Sequence, residues 1–307
     1  KDINLLSQEL FNEIKSSGNL GDFQLEKKGL LMLYQTQAAY NHEIEVAKKA
    51  SSLGLEVKEL NKEELAVLEP NIKINSEGAI HYECDGHTTP SEIMPKLINY
   101  LKSVGVAIKT NEEVIDIIIS NNKIKEVKTS KDNYSLDEVV LAAGSWSSHI
   151  AKKLNINLPL QAGKGYSINV ERPIGITIPA ILMETKMAVT PMQGFTRFAG
   201  TMEFSGINET IRKERVEAIA NGAKRFYPNL EINKEERDLV KTGLRPVSPD
   251  GLPYIGKSKE YINLTFATGH AMMGWSLGPA TGKLVTEIID DKKPSMDVSA
   301  FNPNRKF

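Results

Sequence analysis

The segment from Lys241 to Ile289 constrains the fold more than any other part of this chain. Ile262, Leu264 and Phe266 alternate as a buried strand does and run straight into Gly269. A glycine-rich turn follows, after which Leu284, Val285, Ile288 and Ile289 share one helical stripe. Pro279 suits a first helical position, where its missing N–H costs nothing. The turn from about Trp275 to Ala280 therefore offers free backbone N–H groups and a helix start that favours negative charge. Gly274, Gly278 and Gly282 recur every four residues, which clears one face for a flat ligand or a neighbouring backbone. Upstream, Arg245 lies between Leu244 and Pro246, in a stretch whose backbone the proline restricts. Its guanidinium fork matches a carboxylate.

The rest of the chain reads as alternating short elements. Leu5 to Ile14 forms an amphipathic helix, Leu30 to Tyr34 a strand, and Tyr40 to Leu53 a helix closed by Gly54. Asn61 with Glu64 opens another helix by a capping box, and Thr89, Pro90 and Glu92 open the next, which ends before Gly105 and feeds a strand at Val106 to Lys109. Period-two patterning over Val114 to Ile119 and Ile124 to Lys128, with turns at Asn121–Asn122 and at Lys131 to Asn133, predicts an antiparallel meander. Asp137 to Ala143 is a continuous apolar run, as in a strand covered on both faces of a mainly parallel sheet, and it ends in Ala142-Ala143-Gly144. From about Leu158 to Asn233, strands at Tyr166–Val170, Ala180–Met183, Lys186–Thr190 and Thr196–Phe204 precede a helix carrying Ile211, Val216, Ile219, Ala223 and Phe226.

Composition narrows the function classes. With 40% hydrophobic and 25% charged residues and a net charge of -1, the chain has no excess of cations with which to displace counterions from nucleic acid. No apolar run approaches membrane-spanning length, and the first residues lack the plan of a signal peptide, so the expected location is cytoplasmic or peripheral at the inner membrane face. A single cysteine, Cys84, excludes an intrachain disulfide, and its neighbourhood with His87 carries no metal-ligand spacing, so no metal is expected.

The segments GLRPVSPDGLPYIG and GHAMMGWSLGPATGKL, together with GLLMLYQTQ, VVLAAGSWS, GKGYSI and RFAGTMEF in the same order, resemble the FAD-dependent oxidoreductases of the D-amino-acid oxidase superfamily, and within it the D-amino-acid dehydrogenase and hydroxyproline-oxidising branch. The resemblance implies a mixed α+β and α/β fold: a Rossmann-like FAD-binding domain with an inserted antiparallel-sheet substrate domain. The expected boundaries are 1–20, 77–154 and 236–300 for the cofactor domain, and 21–76 and 155–235 for the substrate domain. Members of the superfamily begin with a strand, a G-x-G-x-x-G turn and a helix that holds the FAD pyrophosphate. No G-x-G-x-x-G occurs here, so the cofactor domain is expected to be incomplete by the ~30 residues of one βαβ unit, and FAD retention by this chain is left open.

By the same resemblance the cofactor would meet Val114, Ala142, Ala143, Gly144 and Trp146 on its adenosine side, and Gly243, Gly269, His270, Gly274, Trp275, Ser276 and Leu277 nearer the flavin. Arg245, His270 and Tyr166 are the candidates for the reacting substrate. As readings of the residues alone, His270 could equally be a packed histidine, Tyr166 a core tyrosine and Trp275 a packing residue. Met272 stands where oxidase relatives such as glycine oxidase often carry an arginine, which leaves one carboxylate clamp and leans towards a dehydrogenase. The implied reaction is hydride transfer from the α-carbon of a small amino or imino acid to flavin N5, followed by hydrolysis of the imine. The electron acceptor is open among oxygen, a quinone and another protein. Alternatives are an amine, glycine or hydroxyproline oxidase of the superfamily, and a non-catalytic chain that binds no flavin.

Overall fold

A computed structural model describes residues 1–307. The helices are α1 (Asp2–Ser17), α2 (Gln37–Ser52), α3 (Lys62–Leu68), α4 (Pro90–Ser103), α5 (Ser147–Lys153), α6 (Lys213–Phe226), α7 (Lys234–Asp238) and α8 (Gly278–Ile289). The strands are β1 (Leu25–Glu26), β2 (Leu30–Tyr34), β3 (Val57–Leu60), β4 (Gly78–Tyr82), β5 (His87–Thr88), β6 (Val114–Ser120), β7 (Lys123–Thr129), β8 (Asn133–Ser135), β9 (Val139–Leu141), β10 (Gln161–Val170), β11 (Ala180–Leu182), β12 (Met187–Met192), β13 (Phe195–Glu203), β14 (Lys241–Val247), β15 (Tyr254–Lys257) and β16 (Leu264–Thr268). No helix is long and apolar enough to cross a membrane.

Two sheets dominate. An eight-stranded sheet in the order β14-β10-β13-β12-β11-β2-β4-β3 is antiparallel except for the β11–β2 pair. Its main core joins Leu31, Leu33, Ile168, Phe198 and Val189 to Val216, Ile219, Ala223 and Phe226 of α6. A three-stranded sheet, β15-β16-β9, pairs β16 with β9 in parallel and β15 with β16 in antiparallel fashion. One of its sides buries Ile255 against Leu284 and Val285 of α8 and Ile3 of α1, and Leu141 and Phe266 pack with Ile124 of the β6-β7-β8 meander and Ala151 of α5. These are the mixed sheets and helices expected of a Rossmann-like fold with a substrate-binding sheet.

Local chemistry sets most boundaries. Gly18 closes α1 in the left-handed conformation at φ 70°. Thr36 caps α2, which starts three residues earlier than its apolar pattern suggests, and the Asn61–Glu64 capping box forms as read. Asn121 and Asn122, at φ 51° and 54°, make the tight turn between β6 and β7. The box expected at α4 does not form: Thr89 Oγ1 accepts the Gln193 N–H and bonds Gln24, and Glu92 accepts the Gln24 N–H instead.

Three further expectations change. Val106 to Lys109 is not a strand, because nothing in the chain hydrogen-bonds beside it. The apolar run at 137–143 yields only β9, which has a single strand neighbour, and Val140 is 41% exposed. Strands β4 and β14 hydrogen-bond into the eight-stranded sheet, so residues 78–82 and 241–247 belong with that sheet and not with the cofactor part.

Candidate functional site

The parallel pairing of β9 with β16 sets the turns after both strands side by side, at the carboxyl end where α/β sheets bind ligands. After β9 the backbone passes through Ala142, Ala143 and Gly144, the last at φ 54°, into a short 3-10 turn, Gly144–Trp146. After β16 it reverses at Gly269, φ 83°, and enters a second 3-10 turn, Ala271–Met273. Thr268 Oγ1 locks the two together: it donates to the Gly144 carbonyl at 3.3 Å and shares a 2.9 Å hydrogen bond with Ser147 Oγ.

Strand β14 joins the turns to the larger sheet. Val247 bridges His270 in the antiparallel sense, and β14 packs against both 3-10 turns. On β14, Gly243 and Arg245 face the same side as Gly165 and Gly163, their partners on β10. Of these glycines only Gly243 opens on free space, since Met202 and Val247 cover Gly163. Arg245 lies across Gly165, in the space a Cβ there would fill, and its Nη1 donates only to the Thr201 carbonyl, at 3.4 Å. Thr201 sits at φ 60° where β13 bulges against β10, a conformation uncommon for threonine. Burial, and then the charge of Arg197, lower the pKa of Arg245.

Arg197 is a residue the sequence reading passed over. It pairs with Asn169 on β10, and its Nη2 donates to Ser167 Oγ at 3.2 Å on the face that carries Arg245. Its Nε is buried without a partner, and neither arginine has a carboxylate within ion-pair reach. The sequence carries no local mark for this, because Arg197 alternates along β13 like any half-exposed strand residue. The expectation of one arginine at this face gives way to two, and Lys241, paired with Ser167, shares the side by strand alternation.

The other candidates separate. Tyr166 pairs with Thr242, three residues from the Gly163–Arg245 pair, so it points to the opposite face. There it is 1% exposed among the α6-packed core and donates to Glu203 Oε2 at 2.8 Å. Tyr166 thus stands outside the site, and the reason is strand parity. The same buried cluster holds Lys164, whose Nζ donates to Asn208 Oδ1 and the Thr210 carbonyl, both at 2.7 Å, and pairs with Glu203 at 3.3 Å. Hydrogen bonding from Ser205, then Tyr166 and Lys164, holds the Glu203 carboxyl down at about 2.

His270 is held by Thr281 of α8, with 2.9 Å between Nε2 and Oγ1, and burial pushes its pKa down to about 4. It is a neutral imidazole that anchors the Gly269 turn, and it brings no charge to the arginines. Trp275 donates its Nε1–H to Thr88 Oγ1 at 2.7 Å and packs with Phe11 of α1, so its indole ties the turn before α8 to neighbouring elements. Trp146 is 52% exposed, Gly274 and Ser276 are exposed, and Leu277 is buried in the α8 core. Val114 opens β6, paired with Thr129, away from the arginines. His87 forms part of β5 beside Glu26, and burial lowers its pKa.

The two turns suit a flat, polar-edged cofactor. Ser145 Oγ is buried with no hydrogen-bond partner, a Cβ at Gly144 or Gly278 would meet nothing within 4 Å, and the backbone N–H groups of Trp275 and Ser276 find no backbone acceptor before α8 begins. Clefts of about 370 and 350 Å³ beside α3 and α2 contain none of these residues.

The family described as FAD dependent oxidoreductase matches residues 2–288. The chain is 28% identical to a D-amino acid dehydrogenase of Helicobacter pylori over 302 residues, 97% of this chain and 71% of the relative. Among solved structures it is similar to glycine oxidase from Geobacillus kaustophilus, with a TM-score of 0.90 and 22% identity over 100% of this chain and 83% of the other. Glycine oxidase from Bacillus cereus aligns with a TM-score of 0.87 and 27% identity, over 95% and 81%.

Proposed function

Given that the chain belongs to the FAD dependent oxidoreductase family, we propose that this oxidoreductase removes hydride from the α-carbon of a small amino or imino acid, as a D-amino-acid dehydrogenase does. The single observation that carries the reading is the convergence of an arginine without an acid partner, Arg245, with the Gly144 and Gly269 turns, which the Val247–His270 bridge holds beside β14. FAD, when bound, supplies the hydride acceptor.

The remaining roles fall to the chain itself. Arg245 binds the substrate carboxylate through a charge-assisted pair and so fixes the α-carbon relative to the turns. Gly243, above which a side chain would meet nothing within 4 Å, leaves room for the substrate backbone against the sheet. Ala142 to Trp146 and Gly269 to Leu277 hold the cofactor, with the start of α8 favouring negative charge on the cofactor's edge. His270, neutral, keeps the Gly269 turn in place; the α-hydrogen leaves as hydride and the substrate amine enters unprotonated, so no side chain need act as a base at carbon or nitrogen.

The test is FAD uptake followed by anaerobic reduction. Protein incubated with FAD and desalted should keep a flavin spectrum that bleaches on adding one enantiomer of a small amino acid. Consumption of oxygen would then mark an oxidase, and turnover only with a dye or quinone a dehydrogenase. A preparation that keeps FAD but is bleached by no amino or imino acid overturns the substrate assignment. One that retains no FAD overturns the cofactor assignment for this chain and favours the non-catalytic reading.

A further inference from the structure

Arg197 and Arg245 reach towards each other along β10. Arg245 starts opposite Gly163 and lies over Gly165; Arg197 starts opposite Asn169 and lies over Ser167. Adjacent same-face positions on a strand are about 6.5–7 Å apart, so two guanidinium groups sit roughly that far from one another. Each has one weak neutral acceptor, Thr201 O at 3.4 Å and Ser167 Oγ at 3.2 Å. By contrast Arg172, Arg212, Arg237 and Arg305 each pair with a carboxylate.

The face itself explains the lack of an acid. Alternation along β10, β12, β13 and β14 puts Gly163, Gly165, Ala188, Thr190, Ala199 and Gly243 on this side together with Lys241 and Val247, and none of them is acidic. Glu203, the buried acid of β13, lies on the opposite side with Lys164 and Tyr166. Two like charges on a face without counter-charge, with open space above Gly243, form a site for a small molecule with two anionic groups.

We propose that the substrate is an amino or imino acid bearing a second carboxylate, with Arg245 holding the α-carboxylate and Arg197 the distal one. This rests on the reading of Arg245 given above and adds the substrate class. Arg197 is then the residue that sets specificity, since it meets the part of the substrate that differs among amino acids. Ser167, which accepts from Arg197, is its positioning residue.

Binding of two simple probes separates the ideas. Succinate and butyrate share a four-carbon chain and differ by one carboxylate, and their affinities for the wild-type protein at neutral pH can be measured by calorimetry. We expect succinate to bind at least tenfold more tightly than butyrate, the ratio to fall close to one in Arg197→Met, and Arg197→Lys to keep part of it. In FAD-loaded protein the same ordering should appear as a higher kcat/KM for aspartate or glutamate than for 2-aminobutyrate. Equal affinity for the two probes, with both lost in Arg245→Met, refutes the second-carboxylate proposal and leaves the role of Arg245 standing. A ratio unchanged by Arg197→Met refutes the assignment to Arg197. Failure of both probes to bind folded protein removes the carboxylate site altogether.

Discussion

Replacing Gly165 by alanine tests the carboxylate grip without touching the arginine. Gly165 pairs with Gly243 of β14, faces the bulge of β13 on its other side, and is absent from the left-handed glycines, so alanine is compatible with its main chain. Its methyl, however, would occupy the space of Nη1, Cζ and Nη2 of Arg245. Non-bonded heavy atoms settle about 3.5–4 Å apart, so the guanidinium must shift by on the order of an ångström. The clash is with the far end of a flexible side chain, so the sheet stays in place and stability changes by less than about 1 kcal/mol. A displaced donor loses most of a charge-assisted hydrogen bond, about 1.5–3 kcal/mol, and about 1.4 kcal/mol is tenfold. The expected loss is therefore about ten- to 150-fold in kcat/KM of FAD-loaded protein, matched by a similar loss of butyrate affinity and a nearly unchanged thermal midpoint. Unchanged kinetics and unchanged butyrate binding in folded Gly165→Ala would show that Arg245 does not hold an acid above Gly165.

Three other outcomes follow from the same geometry. Arg245→Ala should raise KM by the same 1.5–3 kcal/mol while FAD content, read from absorbance after desalting, stays the same. Tyr166→Phe should leave kcat/KM unchanged but lower stability by about 1–3 kcal/mol, because it strips a donor from Glu203 in the core; a kinetic defect with normal stability would return Tyr166 to the site. His270 is held at about 4 against an ordinary 6.5, so the unfolded chain takes up a proton in that window and the folded protein does not. The stability this gives is complete above pH 6.5 and is lost as pH falls towards 4, about 3 kcal/mol at 1.4 kcal/mol per pH unit, and denaturant titrations at several pH values should find that slope flattened in His270→Gln.

Local signals carried much of the fold. The Asn121–Asn122 turn and the Asn61 cap depend on neighbours a few residues away, and both formed as read. Val106 to Lys109 had the residue types of a strand but no backbone alongside to complete its hydrogen bonds, and β9 shortened because only β16 pairs with it. Arg245 stood out beside Pro246 and the glycines, whereas Arg197 became visible only once β10 lay between β13 and β14. Tyr166 illustrates the same limit from the other side. Alternation along β10 puts Tyr166 and Gly163 on opposite faces, but only the pairing of Gly163 with Arg245 and of Tyr166 with Thr242 carries that difference to Arg245, and neither contact is local in sequence.

The bridge between Val247 and His270 makes one strand a member of both halves of the molecule. Only Pro246 separates that bridge from Arg245, so in the proposed site the backbone span from the arginine to the Gly269 turn is ruled by bond lengths and cannot drift with the seating of the two sheets. The opposite end of the arginine-bearing face, built by β12 and β13, is held through their turn instead, where Gln193 N–H donates to Thr89 Oγ1. On the proposed reading, redesign for other side chains belongs there, at positions 188, 190 and 197, which leaves the Val247–His270 bridge untouched.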